Sequence, residues 1–448
     1  MTAPVPKTEA DAAPATLRYA WYVVFALTAI YMLSFMDRQI LSLLVGPLKR
    51  DLGISDTRVG LLQGLAFGLF YTFMGLPLGR IADRRSRRNL IAAGLVLWSI
   101  FTSLCSVARN FWSLFLARMG VGVGEASLSP AAYSLISDYF PKEKLGVAIS
   151  VFYMGIFLGT SLSLLVAGLV IDAMAHTPLI TVPVLGTMAS WRITFLFVGL
   201  PGLLVAPLVY TIREPMRRAA LRSRDGQAAQ LSFRDSLGEM GRRWQSLIGI
   251  SIGAIFQAVP TYALTAWTPT FFQRVHHWTP GQSGRGLAVL LLTFGCFGMY
   301  VGGRMSDYWQ KSGMVEGPLR VGVVCAAGTL LLLPVAYLLP QASWTMFLLA
   351  PGIFFLALPM GTSPAALQRI FPNQVRGQVS ALFLFFLNLG GLSLGPLMPG
   401  LLNDRLFHDE KMIGTSLAIT IGAAAVLMLI AFRATYNSYR THDRLMPL

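Results

Sequence analysis

Three ionisable residues lie inside long apolar segments of the N-terminal half of the sequence. Asp37 belongs to the first such segment, and Arg118 and Glu125 share the fourth, where their spacing puts them on one face of a helix. An ionisable side chain in the core of a bilayer costs about 2.5–3.5 kcal/mol on insertion scales, so its presence indicates a functional site. Asp37 and Arg118 lie at matching depths when each residue rises about 1.5 Å. We therefore predict that Asp37 contacts Arg118, with Glu125 about two turns deeper.

These charges predict a coupling between proton movement and anion binding. A buried arginine stays protonated, whereas a buried carboxylate can titrate. Protonation of Asp37 or Glu125 would free Arg118 for an anionic group, and deprotonation would displace that group. Asp37 is the predicted proton-responsive residue, and Glu125 is the second candidate. The alternative for Arg118 and Glu125 is a purely structural ion pair.

A wider set of polar residues is predicted to bind substrate. Arg38 points about 100° away from Asp37 on its helix, toward the membrane surface or a neighbouring helix, and it ranks below Arg118. In the second half, charge is rare away from the ends of the apolar segments. A cavity with one charged wall suits an amphiphile; the alternative is a second half that moves only as a rigid body. The predicted substrate-binding residues are Arg118, Arg38, Tyr262, Gln257 and Asn388.

The elements that must position these residues are transmembrane helices. Of the 448 residues, 54% are hydrophobic and 12% are charged, against about 25% charged in a typical soluble domain. A transmembrane helix needs about 20 mostly apolar residues, and few of the apolar segments have the polar face of a soluble helix. The sequence predicts an all-α membrane protein with 12 spans, at 19–45, 59–82, 88–107, 111–139, 145–172, 191–212, 245–273, 285–308, 319–339, 344–369, 376–403 and 412–434.

Positive charge is distributed unevenly between the predicted loops. With the N-terminus in the cytoplasm, the two tails and the even-numbered loops hold 18 of the 36 Lys and Arg residues, and the odd-numbered loops hold 7. This asymmetry follows the positive-inside rule and places both termini in the cytoplasm. The net charge of +16 is therefore mainly topological. It favours contact with anionic membrane lipids and gives no support for nucleic-acid binding.

An arginine-rich connection divides the chain into two halves. The stretch from Trp112 to Phe140 recurs as Trp344 to Phe371, with a proline following each phenylalanine. Because both copies end at a cytoplasmic loop, the halves are predicted to have the same orientation. The linker is predicted to be solvated, with a short amphipathic helix around 231–243 as the alternative. The predicted units are an N-terminal tail at 1–18, a six-helix bundle at 19–212, the cytoplasmic linker at 213–244, a second six-helix bundle at 245–434 and a C-terminal tail at 435–448.

The loop after the second segment carries a charged motif. It reads Gly79-Arg80-Ile81-Ala82-Asp83-Arg84-Arg85-Ser86-Arg87-Arg88, and its Gly-to-Asp spacing recurs at Gly303 and Asp307. An acid can cap a neighbouring helix, and arginines can pair with acids on adjacent loops. The loop resembles the signature of the major facilitator superfamily, although Ser86 takes a place that is often glycine. The predicted conformational latch between the bundles comprises Gly79, Asp83, Arg84, Arg87, Arg88 and Asp307.

Two further segments resemble the spinster family within that superfamily. They are Tyr31-Met32-Leu33-Ser34-Phe35-Met36-Asp37-Arg38 and Arg118-Met119-Gly120-Val121-Gly122-Val123-Gly124-Glu125 with Ala126 and Pro130, and Trp98-Ser99 adds to the likeness. The resemblance covers the first five segments and becomes generic beyond them. It implies a proton-linked or facilitative carrier of sphingosine-1-phosphate or lysophospholipids. It also implies that Asp37, Arg118 and Glu125 are the family's acid, arginine and glutamate.

The combined expectation is a monomeric secondary active transporter that moves a lipid-like anion by alternating access. Three alternatives stay open: a small organic-anion or drug exporter, a facilitator without a proton step, and a membrane receptor that binds without transport. An enzyme is not expected, because no nucleophile–base pair, metal cluster or phosphate loop is apparent in the sequence. No cofactor is expected beyond a proton as coupling ion. The expected location is the membrane, and the inner membrane if the source is bacterial.

Overall fold

Long helices make up most of the chain in the computed structural model, which describes residues 17–173, 177, 179–182, 186–215, 233–372 and 375–444. In the first half the α-helices are Leu17–Gln39, Val45–Leu52, Asp56–Gln63, Leu65–Arg84, Arg87–Leu104, Phe111–Glu125, Leu128–Tyr139, Lys142–Ala173 and Ser190–Val205. In the second half they are Phe233–Arg242, Trp244–Val275, Pro280–Leu290, Cys296–Lys311, Gly317–Leu338, Ala342–Ala357, Thr362–Ile370, Arg376–Leu387, Ser393–Leu402, Ile413–Ala434 and Tyr436–Arg444. Short 3-10 and π-helical turns join several of these helices into longer spans.

Within these ranges, 11 continuous helical segments are long and apolar enough to cross a membrane, where the sequence predicts 12. The exception is the predicted fourth span, which forms the two helices Phe111–Glu125 and Leu128–Tyr139. Pro130 has no N–H to donate to the carbonyl of Ala126, so the helical ladder is interrupted beside Glu125. We count this interrupted helix as span 4 and number the spans 1 to 12 in chain order.

A small β-hairpin between spans 5 and 6 is a local addition to the predicted all-helical fold. Strands Leu179–Val182 and Gly186–Ala189 pair antiparallel, with Leu179 opposite Ala189. Gly186 has φ +76°, a backbone conformation that favours glycine. Four residues per strand are too few for a clear alternating pattern, so the sequence does not predict this hairpin.

The structure describes only part of the predicted tails and linker. Most of the predicted N-terminal tail and linker residues 216–232 lie outside the described residues. The helix Phe233–Arg242 occupies the position considered for an amphipathic helix in the linker. The predicted C-terminal tail at 435–448 contains the helix Tyr436–Arg444, so it is more ordered than a simple tail.

The two ends of the bundle differ in how closely the halves approach. We call the end that carries Leu17 and Arg444 the terminal face, and the opposite end the far face. Near the far face, spans 2 and 11 touch through backbone atoms. A Cβ added to Gly60 would lie 2.5 Å from the carbonyl oxygen of Pro396, and one added to Gly400 would lie 2.4 Å from that of Asp56. Glycine therefore lets the two halves close against each other at the far face.

Candidate functional site

Four charged residues from spans 1 and 4 lie together inside the first half. Asp37 and Arg38 belong to the last turn of Leu17–Gln39, and Arg118 and Glu125 lie on Phe111–Glu125. Asp37, Arg118 and Glu125 are 2%, 0% and 1% exposed. The side chain of Arg38 is 12% exposed. Arg38 is thus the member of this charge cluster with the most access to open space.

Asp37 and Arg118 are in contact, but the guanidinium of Arg118 does not pair with the carboxylate of Asp37. The Nη1 of Arg118 donates a hydrogen bond to the main-chain carbonyl of Asp37 at 3.0 Å. The carboxylate of Asp37 instead accepts from Thr102 Oγ1 at 3.2 Å. Its Oδ1, like the Nε and Nη2 of Arg118, has no hydrogen-bond partner in the described structure. The two residues therefore lie side by side, as their matching depths predict. Their charged groups form no ion pair in the described structure.

Glu125 forms its ion pair with Arg38. Its Oε2 accepts from Arg38 Nε at 2.7 Å and from Ser34 Oγ at 2.5 Å. Ser34 and Arg38 are four residues apart and share a helix face, which is the face that meets span 4. The spacing of Ser34 and Arg38 is a signal in the sequence for this contact, whereas the direction of Arg38 relative to Asp37 alone ranks it below Arg118.

Aromatic rings surround the guanidinium of Arg38. Its Cζ lies 4.7 Å from the ring centroid of Phe35, 4.4 Å from that of Phe67 and 4.6 Å from that of Tyr71. A cation over an aromatic face is stabilised by about 0.5–2 kcal/mol, depending on how far it is desolvated. The rings and Glu125 together hold a charged group where water is scarce.

Arg38 borders a central cavity between the two halves. The cavity has two lobes that share part of their lining. We call the first the far lobe, since it includes Ser42 and Gln63, and the second the terminal lobe, since it includes Tyr133 and Phe383. Arg38 and Tyr262 line both lobes, so the boundary between the lobes lies beside the charge cluster. The other shared lining residues are Phe35, Ile156, Thr261 and Met360.

The cavity includes most of the predicted substrate-binding residues. Gln257 and Asn388 line the terminal lobe, and Arg38 and Tyr262 line both lobes. Arg118 lines neither lobe, because it lies behind span 1 with its guanidinium against the main chain. The sequence analysis missed Gln63 and Tyr71, because neutral polar residues in apolar spans carry little signal compared with charges.

A network of ion pairs joins the two halves at the far face. Asp56, which begins span 2, accepts from Lys49 Nζ at 2.7 Å, from Arg274 Nη1 and Nη2 at 2.7 and 2.8 Å, and from Asn403 Nδ2 at 2.7 Å. Lys49 Nζ also lies 2.6 Å from Glu410. Arg274, Asn403 and Glu410 belong to the second half, so Asp56 links the halves. The far face is closed in this conformation.

Arg87 and Arg88 of the motif loop at the terminal face contact the first half and the start of the linker. Arg87 is fully buried and pairs with Asp138 and, at 2.7 Å, with Glu214. The main-chain N–H of Arg88 donates to Glu214 at 3.0 Å. Burial opposes ionisation of Glu214, but these hydrogen bonds outweigh it and hold the pKa of that carboxyl below its usual value.

The remaining latch residues make no link between the halves that the structure records. Asp307 and Arg84 are exposed, and the nearest atom to a Cβ added at Gly79 would be in Pro130 of the same half. The side chain of Asp83 lies outside the described part of the chain. The latch therefore stays a prediction, for a conformation in which the terminal face is closed.

Comparison with known proteins places the chain among membrane transporters. The Major Facilitator Superfamily pattern matches residues 27–396. An MFS-type efflux pump of Mycolicibacterium smegmatis is 27% identical over 94% of this chain and 94% of its own length. The probable L-galactonate transporter of Escherichia coli is 27% identical over 70% of this chain and 67% of its own.

The resemblance to the spinster family is also confirmed. Protein spinster homolog 1 of Xenopus tropicalis is 28% identical over 72% of this chain and 60% of its own length. The crystal structure of a bacterial homologue of the human lysosomal transporter Spinster, in an inward-facing and unoccupied conformation, superposes with a TM-score of 0.80 at 24% identity. That alignment covers 97% of this chain and 100% of the other. The chain belongs to the Major Facilitator Superfamily and is a multi-pass integral membrane transporter rather than an enzyme.

Proposed function

We propose that this transporter moves an amphiphilic organic anion by alternating access, with a proton bound at Glu125 as the coupling ion. The observation that carries the proposal is the ion pair between Glu125 and Arg38 at 2.7 Å. Arg38 borders both lobes of the cavity. A substrate anion in the cavity and the Glu125 carboxylate would therefore compete for one guanidinium.

Charge balance gives the direction of the coupling. The cluster contains two carboxylates, Asp37 and Glu125, and two guanidinium groups, Arg38 and Arg118, so its formal charge is zero when all four are ionised. A proton on Glu125 leaves the cluster with one excess positive charge in a poorly solvated place. An anion bound at Arg38 restores neutrality. Loss of the proton returns Arg38 to Glu125 and expels the anion.

The geometry supports Glu125 ahead of Asp37 as the proton-responsive group. Neither carboxylate lines a lobe, but Glu125 pairs with Arg38, which lines both, whereas the carboxylate of Asp37 faces Thr102 of span 3. The carbonyl oxygen of Asp37 holds Arg118. In this proposal Asp37 and Arg118 position the end of span 1 and balance its charge, and Asp37 is the second candidate for proton binding.

The lining of the far lobe supports a substrate with an apolar part. Its side chains are mostly hydrocarbon or aromatic, and a charge at the lobe boundary can hold an anionic head while those walls hold a tail. The apolar members include Phe35, Phe67, Phe157, Leu264, Leu291, Ile353 and Leu392. A lysolipid or sphingosine-phosphate-like anion has this shape.

A second candidate substrate class is a small polar anion such as a sugar acid. Gln39, Gln63, Thr160 and Thr265 offer polar groups within the same far lobe. Two relatives, the probable L-galactonate transporter of Escherichia coli and the hexuronate transporter of Bacillus subtilis, are named for sugar acids. With both termini in the cytoplasm, as the charge distribution predicts, the closed far face would make this conformation inward-facing.

Substitution of Glu125 by Gln tests the coupling. Glutamine keeps the shape and the hydrogen-bonding capacity of a protonated glutamate, so Glu125→Gln is expected to abolish uptake driven by a pH gradient while retaining exchange of substrate between the two sides. Proteoliposome uptake of lysophosphatidate, sphingosine-1-phosphate and glucuronate would be measured with and without the gradient. Glucuronate uptake without lipid uptake would favour the second substrate class.

Asp37→Asn serves as the matched control for that experiment. It neutralises the other carboxylate of the cluster and is expected to leave a pH-driven component. Full pH-driven accumulation by Glu125→Gln, or its complete loss in Asp37→Asn alone, would contradict the assignment of the proton to Glu125.

A further inference from the structure

Gln63 lines the far lobe and carries a buried, unpaired amide. It is the last residue of the helix Asp56–Gln63 and is 7% exposed. Both its Nε2 and its Oε1 lack a hydrogen-bond partner in the described part of the structure, and the side chain lines the same lobe as Arg38. Buried polar groups in proteins are nearly always paired, so two unpaired atoms on one side chain require an explanation.

The backbone at this point leaves little freedom to move the amide elsewhere. Gly64 follows Gln63 and separates it from the helix Leu65–Arg84. A Cβ added to Gly64 would lie 2.7 Å from the carbonyl oxygen of Leu392 in span 11. Close backbone packing against the second half therefore holds Gln63 where the two halves meet.

The other two glutamines of the cavity, Gln39 and Gln257, differ from Gln63 because their amides are hydrogen-bonded within the protein. Gln39 Nε2 donates to the carbonyl of Thr265 at 2.5 Å. Gln257 Nε2 donates to the carbonyl of Leu356 at 3.1 Å. These bonds join the side chain of Gln39 to the main chain of span 7 and that of Gln257 to the main chain of span 10. Gln63 makes no such bond in the described structure.

The unpaired atoms define the chemistry of the group that would satisfy them. An amide has donors at nitrogen and an acceptor at oxygen. A carboxylate or phosphate only accepts and would leave Oε1 unpaired, and an ammonium group only donates and would leave Nε2 unpaired. A hydroxyl group both donates and accepts, so a ligand hydroxyl can serve the two atoms of Gln63.

We propose that Gln63 binds a hydroxyl group of the transported anion in the far lobe, so that the substrate is a hydroxyl-bearing organic anion. This inference rests on the proposed function, in which Arg38 binds the anionic group. The hydroxyl could belong to the glycerol of a lysolipid or to a sugar acid, since both put hydroxyls close to an anionic group. Gln63 then selects among anions that Arg38 alone would bind equally.

A pair of lipid probes tests the hydroxyl directly. Proteoliposome uptake of lysophosphatidate is compared with that of its 2-deoxy analogue, in which hydrogen replaces the glycerol hydroxyl, and glucuronate forms the sugar-acid arm. The wild-type protein is expected to take up lysophosphatidate with about 10-fold higher kcat/KM than the analogue, as for the loss of one hydrogen bond. Gln63→Leu is expected to remove that difference by lowering the value for lysophosphatidate alone. If the wild-type protein prefers glucuronate and Gln63→Leu loses glucuronate uptake, the hydroxyl is assigned to a sugar acid.

Gln257→Leu is the control, since that amide is already bonded within the protein, and it is expected to change both lipid probes equally. Retention of the 10-fold preference by Gln63→Leu would overturn the inference. Anion uptake that survives in Arg38→Ala would instead overturn the proposed function and leave the hydroxyl comparison intact.

If neither lipid nor glucuronate is transported by the wild-type protein, the proposed substrate classes fail and thermal unfolding decides the role of Gln63. A Gln63→Leu variant that melts below the wild-type protein would show that the amide is needed for the fold, and would overturn the inference. Melting at or above the wild-type temperature supports an amide kept for a ligand, since leucine removes two unpaired polar atoms from an apolar site.

Discussion

Arg38→Ala is expected to abolish uptake of every anionic substrate. The change removes the guanidinium that lines both lobes and that the neighbouring Phe35, Phe67 and Tyr71 rings hold in place. Truncating one member of a buried, hydrogen-bonded charge pair costs about 2–5 kcal/mol, which corresponds to a loss of roughly 30-fold to several thousand-fold. The measurement is proteoliposome uptake, with kcat/KM for lysophosphatidate and glucuronate.

Part of that effect would be structural, because the change leaves Glu125 buried without its cation. Removal of one partner of a buried ion pair destabilises a protein by about 3–5 kcal/mol. The double variant Arg38→Ala/Glu125→Gln removes both charges, and we expect it to recover thermal stability without recovering transport. A double variant that regains both thermal stability and transport would contradict a substrate-binding role for Arg38.

Arg38→Lys separates charge from geometry. Lysine keeps the positive charge but lacks the planar donor fork that pairs with carboxylate and stacks on rings. We expect partial uptake with a raised KM. Uptake equal to that of the wild-type protein would show that position 38 supplies only a diffuse charge.

The fold was largely predictable because its signal is long and repeated. Apolar runs of about 20 residues are hard to place in any soluble fold, and the motif echo between Gly79 and Gly303 revealed the two halves. The sequence predicts one span interrupted at Pro130, and the structure divides that span into Phe111–Glu125 and Leu128–Tyr139. Pro130 marks the break, but many membrane helices contain proline without ending.

The candidate site was predictable in its members but not in its pairing. Rare charges within spans identified Asp37, Arg118 and Glu125, since their insertion is costly. Depth along a helix axis follows from residue spacing, whereas the direction of a side chain around the axis depends on how neighbouring helices rotate and tilt. The structure therefore pairs Glu125 with Arg38, whereas the sequence predicted that Arg118 would form the main contact of the cluster. The ion-pair network at the far face joins residues as distant in sequence as Lys49 and Glu410, and no local pattern specifies such a contact.

Asp56→Ala is expected to open the far face. Asp56 receives hydrogen bonds from Lys49, Arg274 and Asn403, and two of these partners belong to the second half. Without the carboxylate, Arg274 and Lys49 keep only the exposed Glu410 as a shared counter-charge, so their mutual repulsion is less well balanced. The equilibrium between conformations should shift toward the state with an open far face by at least about 10-fold, which requires about 1.4 kcal/mol of the energy that the network contributes.

Labelling of a cysteine placed in the far lobe measures that shift. Ser42 is buried and lines the far lobe, so Ser42→Cys should react slowly with a membrane-impermeant maleimide applied to the far face. Cys296 is the one native cysteine that is not fully buried, and a Cys296→Ser background removes its signal. The Asp56→Ala change is expected to raise the labelling rate of Cys at position 42 about 10-fold or more.

Asp51→Ala provides the matched control at the same face. Asp51 pairs with Arg192 at 2.8 Å, and both belong to the first half, so this pair does not hold the halves together. Loss of a half-exposed pair costs little, and labelling at position 42 should stay at the level of the parent. If Asp56→Ala labels no faster than Asp51→Ala, the network around Asp56 is a local brace within the fold. If only Asp56→Ala labels faster, opening of the far face requires this one carboxylate to release its partners in the second half, which makes Asp56 the far-face counterpart of the latch predicted at Asp83.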